Sequence, residues 1–189
     1  MNNRFARGIS IVGHPFVTLP LAVFIAVGPH GLLQPATVAL AVLIVLTVVF
    51  IGWHVRRGDW HHVDANRPHE RRRWNVFLAS LLLGASGWFA IDPATRVLAL
   101  GFAAGLLPVL AAIVLSRWLK LSQHVAYCVY AALLLAAEGP VAMLIALLLG
   151  LPLAWSRVVL GRHTPLETAI GAASGMLAGG VFWLGLGLL

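Results

Sequence analysis

The sequence predicts an all-α fold: a polytopic bundle of about six to seven transmembrane helices, forming a single domain over residues 1–189. Composition and the spacing of apolar residues predict it. Of the 189 residues, 60% are hydrophobic and 10% are charged, whereas a soluble domain carries about 25% charged residues. The apolar residues form stretches of nearly bilayer length, separated by Pro, Gly and charged residues. A soluble fold could not cover this much apolar surface.

Seven apolar stretches approach the roughly 20 residues that cross a hydrocarbon core. They are residues 9–27, 36–53, 74–91, 97–116, 124–137, 141–155 and 168–189. The fifth and sixth are short, so we expect them to extend into their flanks, tilt, or lie shielded within the bundle. Backbone groups in lipid need partners within their own segment, and the alternating pattern of a barrel is absent. The spans are therefore predicted to be helices, and the His14-Pro15 pair in the first predicts a kink or a packed polar pair.

The basic residues are distributed unevenly between the loops. With seven spans, the N-terminus and the loops after spans two, four and six share one side, and all of the 13 Lys and Arg residues except Arg96 fall there. This asymmetry predicts that the arginine-rich side faces the cytoplasm. The net charge of +7 comes from cations placed between apolar spans rather than on a soluble basic face. We therefore expect no nucleic-acid partner.

The segment before the last span carries the most informative group of reactive side chains. It contains Arg157, His163 and Glu167. A carboxylate four residues beyond His163 can reach back to the imidazole and fix its tautomer, as an orienting acid does in a catalytic triad. Arg157 offers a planar fork that suits phosphate oxygens. These residues predict an anion-binding site with a nucleophile or base.

Two further segments on the same side add cations and a second imidazole. Residues 120–124 supply Lys120, Ser122 and His124 at a helix start, where free N–H groups favour an anion. Residues 64–73 contain the highest density of arginines, among them Arg67 and Arg71. The cations and the reactive groups are thus predicted to meet at one membrane face.

These segments resemble the three motifs of the type 2 phosphatidic acid phosphatase (PAP2) superfamily of membrane lipid phosphatases. The third motif, Ser-Arg-x5-His-x3-Asp, is matched in spacing from Ser156 to Glu167, with Glu in place of Asp. The second, Pro-Ser-Gly-His, is reduced to Ser122 and His124. The first, Lys-x6-Arg-Pro, retains Arg67-Pro68 but has Trp60 at the Lys position, a charge that Lys120 could replace. The layout is similar to a divergent bacterial branch with His-Pro in its first span.

The resemblance implies a phosphohydrolase that needs neither metal nor cofactor. It would hydrolyse a phosphomonoester or diphosphate of a polyprenyl or glycerolipid type of lipid in the bacterial inner membrane. His163 would be the nucleophile that forms a phosphohistidine, His124 the general acid and base, and Glu167 the partner of the nucleophile. The phosphate would be bound by Arg157, Lys120, Ser122, Arg67 and Arg71.

Two other functions remain open from the sequence. Residues 54–70 contain a cluster of histidines and carboxylates that could bind one or two metals, as in a prenyltransferase or a desaturase-like enzyme. The chain could also be a non-catalytic membrane scaffold, because the first two motifs depart from the family pattern. Span interiors hold almost no ionisable residues, so an ion path across the bilayer is poorly supported.

Overall fold

The computed structural model describes residues 3–60 and 67–189, and within these ranges the chain forms helices and no strands. The all-α prediction is confirmed. The α-helices are α1 (Asn3–Val12), α2 (Pro15–Val27), α3 (Leu33–Arg56), α4 (Pro68–Ala90), α5 (Arg96–Leu115), α6 (Gln123–Leu134), α7 (Pro140–Val159) and α8 (Pro165–Leu186). Short 3₁₀ helices lie at Gly28–His30, Pro93–Thr95 and Leu135–Glu138.

Five of the described helical segments are long and apolar enough to cross a membrane. They are Arg4–His30, which combines α1 and α2, then Leu33–Arg56, Pro93–Leu115, Pro140–Val159 and Pro165–Leu186. These segments are consistent with an integral membrane protein. The predicted count of six to seven spans is not established, because α4 begins with a run of arginines and α6 has only 12 residues.

The first predicted span is divided into two helices. Helix α1 ends at Val12, and the His14 side chain begins α2 by accepting a hydrogen bond at Nδ1 from the Phe16 N–H at 3.2 Å. Pro15 follows at the first helical position, where its missing N–H costs no hydrogen bond. His14-Pro15 thus ends one helix and starts another, and the imidazole lies at the break.

Helix α6 is surrounded by other helices. Seven of its residues are buried: Val125, Ala126, Tyr127, Tyr130, Ala131, Ala132 and Leu134. Its two tyrosines bond to the backbone of α5, where Tyr127 donates to the Gly105 carbonyl at 3.0 Å and Tyr130 to the Gly101 carbonyl at 2.8 Å. The polar tips of the two rings are therefore satisfied inside the bundle.

A row of glycines on α8 allows α6 to approach closely. Gly171, Gly175 and Gly179 are spaced four residues apart, so they share one face of α8. A Cβ added at Gly171 would lie 2.6 Å from the Ser122 carbonyl oxygen, and one at Gly179 would collide with the side chain of Leu133. Small residues at helix interfaces in membranes permit this kind of backbone contact. The glycine row thus allows α6 to pack against α8 along its whole length.

Helix α3 is packed less tightly than α6. Only Ala36, Leu40 and Thr47 are buried among its residues. The space beside it is a cavity of about 1020 Å³, lined by residues of α2 to α6 and by Arg157 and His163.

Candidate functional site

The cavity is amphiphilic along its length. Most of its polar lining comes from helix ends and loops at one side of the bundle, among them His14, His69, Arg71, Arg72, Lys120, Gln123, His124, Arg157 and His163. Its apolar lining comes from the middle of α2, α3 and α4: Leu19, Leu40, Leu43, Ile44, Leu78 and Leu82. Ligand pockets in proteins usually measure about 300–1,000 Å³, so the volume suits a large ligand. A molecule with an anionic head and an apolar tail matches both halves.

His163 lies in the loop between α7 and α8, and its side chain is almost buried, with a residue exposure of 9%. Its Nδ1 atom lies 3.0 Å from the carbonyl oxygen of Lys120. Because a carbonyl oxygen can only accept, Nδ1 carries the proton, and in the neutral ring the lone pair is on Nε2. Burial, and next the positive charge of Arg157, lower the pKa of His163 to about 4. The ring is therefore neutral at pH 7 and has a free lone pair for attack.

Glu167 acts on His163 differently from the sequence expectation. Its Oε2 atom lies 3.7 Å from Nδ1 of His163, beyond hydrogen-bond distance but within the range of an ion pair. The hydrogen bond that fixes the tautomer comes from the Lys120 carbonyl. Glu167 instead supplies a negative charge beside the ring, which stabilises any positive charge that develops there.

Glu167 also connects the two segments that contain the candidate histidines. Its Oε1 atom accepts from the Lys120 N–H at 2.8 Å, and Oε2 accepts from the Thr164 N–H at 2.9 Å. The Glu167 carbonyl oxygen accepts from the Ser122 N–H at 3.2 Å. Thr164 and Glu167 together form a capping box at the start of α8. One carboxylate therefore holds the loop before α6 against the N-terminus of α8.

His124 lies in the first turn of α6 and contacts the imidazole at the helix break. The centroids of the His14 and His124 rings are 4.8 Å apart, and the rings meet edge to face at 89°. Both rings line the cavity together with His163. His69 of α4 lines the cavity as well, so four of the described histidines do so, and the sequence motifs assigned neither His14 nor His69 to the phosphatase site.

The cations Arg157, Lys120 and Arg71 also line the polar end. Arg157, in the last turn of α7, is 8% exposed, and its Nη1 donates to the Ser10 hydroxyl at 2.9 Å. Burial, followed by repulsion from Arg71 and Arg157, lowers the pKa of Lys120. Mutual repulsion of this kind is relieved when an anion binds between the cations.

Two predicted phosphate-binding residues do not line the cavity. Arg67 is exposed at the N-cap of α4, where its backbone N–H donates to Glu70 Oε2 at 3.0 Å. Ser122 is fully buried against Gly171, and its hydroxyl has no hydrogen-bond partner among the described residues. Of the predicted phosphate-binding set, the structure thus brings Arg157, Lys120 and Arg71 together and leaves Arg67 and Ser122 outside the lining.

A group of amide side chains was missed by the sequence motifs. Gln123 Nε2 donates to Asn75 Oδ1 at 3.1 Å, and Trp74 Nε1 donates to Gln123 Oε1 at 3.3 Å. These bonds join α4 to α6 beside the candidate histidines. Asn75 lies two residues after Arg73, at the start of the predicted third span, where a polar residue gives little signal of its own. Ser10 gave no signal either.

The metal-binding alternative involves residues 54–70, of which 61–66 lie outside the described residues. His54 Nδ1 lies 3.1 Å from Asp59 Oδ2, and the His54 ring stacks on Trp60 with centroids 5.1 Å apart. Among residues 3–60 and 67–189, no group of three or more His, Cys, Asp or Glu side chains is placed to hold a metal ion. The predicted contributions of His61, His62 and Asp64 fall in the segment that is not described.

A comparison with known protein families, curated proteins and solved structures finds no match for this chain.

Proposed function

We propose that the protein is a membrane lipid phosphatase that hydrolyses a phosphomonoester or diphosphate of a lipid through a phosphohistidine at His163. The observation that supports this most is the amphiphilic cavity, where imidazoles and cations meet at one end and aliphatic side chains line the rest. A lipid phosphate has the same division between head and tail. The tail would be of polyprenyl or glycerolipid type.

In the first step, Nε2 of His163 attacks phosphorus and the bond from phosphorus to the leaving oxygen breaks. His124 enters this step as an imidazolium, its charge offset by the bound anionic phosphate, and donates a proton to that oxygen, so the alcohol or phosphate leaves as a neutral or less charged group. The product on the enzyme is a phosphohistidine. Its imidazolium charge lies beside Glu167 Oε2, 3.7 Å from Nδ1, while Nδ1–H keeps its bond to the Lys120 carbonyl.

In the second step, His124 takes a proton from water, and the water oxygen forms a bond to phosphorus as the bond to Nε2 breaks. Inorganic phosphate leaves and His163 returns to its neutral form. Throughout, Arg157, Lys120 and Arg71 neutralise the oxygens of the transferring group. Preorganised donors of this kind are often the largest catalytic term, and the loss of one typically costs about 2.7–4 kcal/mol of barrier.

The topology that accompanies this proposal has seven crossings, with α4 and α6 crossing in addition to the five long apolar segments. Helix α6 is about 18 Å long at 1.5 Å per residue, but it is buried among other helices and so need not match the thickness of the lipid. The N-terminus and the loops that hold Lys120 and His163 then share the arginine-rich side. The positive-inside rule places that side, and the site, in the cytoplasm, in the bacterial inner membrane.

Phosphate release from purified lipid phosphates tests the proposal. The panel holds polyprenyl phosphate, polyprenyl diphosphate and phosphatidate in mixed micelles, with and without a metal chelator. The control variant is His30→Ala, because His30 is exposed in the 3₁₀ helix Gly28–His30, away from the cavity lining. We expect release by wild type and His30→Ala in both conditions. Release that requires an added metal and persists in His163→Ala would contradict the proposal.

A further inference from the structure

Helix α1 packs on α7 through one narrow face. Ala6, Ser10 and Gly13 are spaced four and three residues apart, so they lie on the same side of α1. Ala6 is fully buried, and a Cβ added at Gly13 would lie 2.9 Å from Cδ1 of Leu153. Phe5 contacts Trp155, with ring centroids 6.4 Å apart. Small side chains thus let α1 approach the end of α7 that carries Arg157.

Ser10 is the polar residue on this packed face, and it contacts the guanidinium directly. Its hydroxyl oxygen accepts from Nη1 of Arg157 at 2.9 Å, across 147 residues of sequence. A guanidinium has five N–H donors in a rigid fork. A bond that engages one of them restricts the plane of the fork, and Arg157 lines the polar end of the cavity. Arg157 is 8% exposed, so the bond forms where water competes little.

We propose that α1 belongs to the phosphate-binding site and that Ser10 is the positioning residue that orients Arg157 toward the phosphate. This inference rests on the proposed phosphatase function. Ser10 does not line the cavity, so it would not contact the lipid itself. The hydroxyl instead holds the arginine in the orientation that phosphate needs, so the N-terminal helix is required for phosphate affinity.

The test compares Ser10→Ala, Ser10→Thr and Ser80→Ala. The alanine removes the acceptor, and the threonine keeps a hydroxyl. Ser80 matches Ser10 as a helical serine, but it is exposed on α4, bonds to the Val76 carbonyl at 3.0 Å and does not line the cavity. The readouts are KM and kcat for a lipid phosphate, the inhibition constant of inorganic phosphate, and the rate at which phenylglyoxal modifies Arg157, followed by mass spectrometry.

For Ser10→Ala we expect KM and the phosphate inhibition constant to rise by the same factor, about tenfold, with kcat changed less. Arg157 should be modified faster, because the guanidinium loses the hydrogen bond to the Ser10 hydroxyl. Ser10→Thr should restore both properties, and Ser80→Ala should resemble wild type. A loss of kcat with unchanged KM would mean that Ser10 only supports folding, and would overturn the inference. So would an unchanged modification rate of Arg157.

The modification rate also separates this inference from the proposed function. If wild type releases no phosphate from any lipid phosphate but Arg157 is still protected by Ser10, the phosphatase proposal fails and the contact stands. If wild type releases phosphate and the Ser10→Ala variant matches it in KM and in Arg157 reactivity, the inference fails and the phosphatase proposal stands.

Discussion

Nδ1 of His163 donates to the carbonyl oxygen of Lys120 at 3.0 Å, so a backbone group 43 residues away fixes the tautomer of the proposed nucleophile. The same Lys120 donates its own N–H to Glu167 Oε1 at 2.8 Å. His163, Lys120 and Glu167 therefore form one unit, in which the carboxylate holds the loop and the loop holds the imidazole. Glu167 therefore holds the backbone of this unit in place, in addition to supplying a negative charge beside His163.

Glu167→Gln should lower turnover less than His163→Ala does. The amide has one carbonyl oxygen, so it can accept from the Lys120 N–H or the Thr164 N–H but not from both. We expect lower thermal stability, by about 1–3 kcal/mol for the donor left without a partner, and a reduced kcat because the negative charge near His163 is lost. Kinetics and thermal denaturation in detergent measure the two effects. Equal loss of turnover in both variants would show that the charge, rather than the orientation of the ring, dominates.

The stability of the protein should depend on the protonation of His163 below neutral pH. The folded pKa is about 4, against 6.5 for the unperturbed group. Between these values the unfolded chain binds a proton that the folded chain does not, so the free energy of unfolding falls as the pH falls from 6.5 toward 4. His163→Asn can still donate an N–H to the Lys120 carbonyl but does not titrate. Its melting temperature should therefore drop less than that of wild type between pH 7.5 and pH 5; parallel curves would be inconsistent with a depressed pKa.

The contact between α6 and α8 should tolerate no side chain at Gly175. A Cβ there would collide with the carbonyl oxygen of Ala126, whereas a Cβ at Gly180 on the same helix would meet nothing within 4 Å. Gly175→Ala should destabilise the protein by about 1–3 kcal/mol and reduce phosphatase activity, because α6 carries His124. Gly180→Ala is the matched control and should leave both unchanged. Melting temperature in detergent is the measurement, and equal melting of the two variants would exclude the close approach of these helices.

The site should face the cytoplasm. Leu166 is exposed near His163, and Ala94 is exposed in the 3₁₀ helix Pro93–Thr95 before Arg96, which the proposed topology puts on the opposite side. Single cysteines at these positions, in a Cys128→Ala background, are treated in intact cells with an impermeant thiol reagent. We expect labelling at position 94 and protection at position 166. The reverse pattern would show that the arginines serve phosphate binding and that the site faces outward.

The sequence predicts the helices of this fold better than it predicts their contacts. Apolar length locates α3, α5, α7 and α8 within a few residues, because a span in lipid needs a continuous apolar helix. The His14-Pro15 pair in the sequence also predicts a kink or a packed polar pair in the first span. The sequence does not establish whether α4 and α6 cross a membrane. The arginines at the start of α4 lower its mean hydropathy, and α6, with 12 residues, is shorter than a typical span.

The candidate site was predictable in part for a similar reason. His163, Arg157 and Glu167 lie close together in sequence on either side of one turn, so local geometry brings them near one another. Arg67 was favoured only by the following proline, and its position depends on how α4 begins, which local sequence does not determine. The contacts of Ser10 with Arg157 and of His14 with His124 depend on helix packing between distant segments. No spacing rule predicts those contacts.

Trapping of the phosphoryl group on His163 tests the central claim most directly. A lipid phosphate labelled at phosphorus is mixed with the protein, the reaction is quenched in alkali within one turnover, and the label is assigned to a peptide by mass spectrometry. Wild type and His30→Ala should carry the label on His163, and His163→Ala should carry none and release no phosphate. Phosphate release by His163→Ala, or turnover by wild type with the label on another residue, would contradict the account.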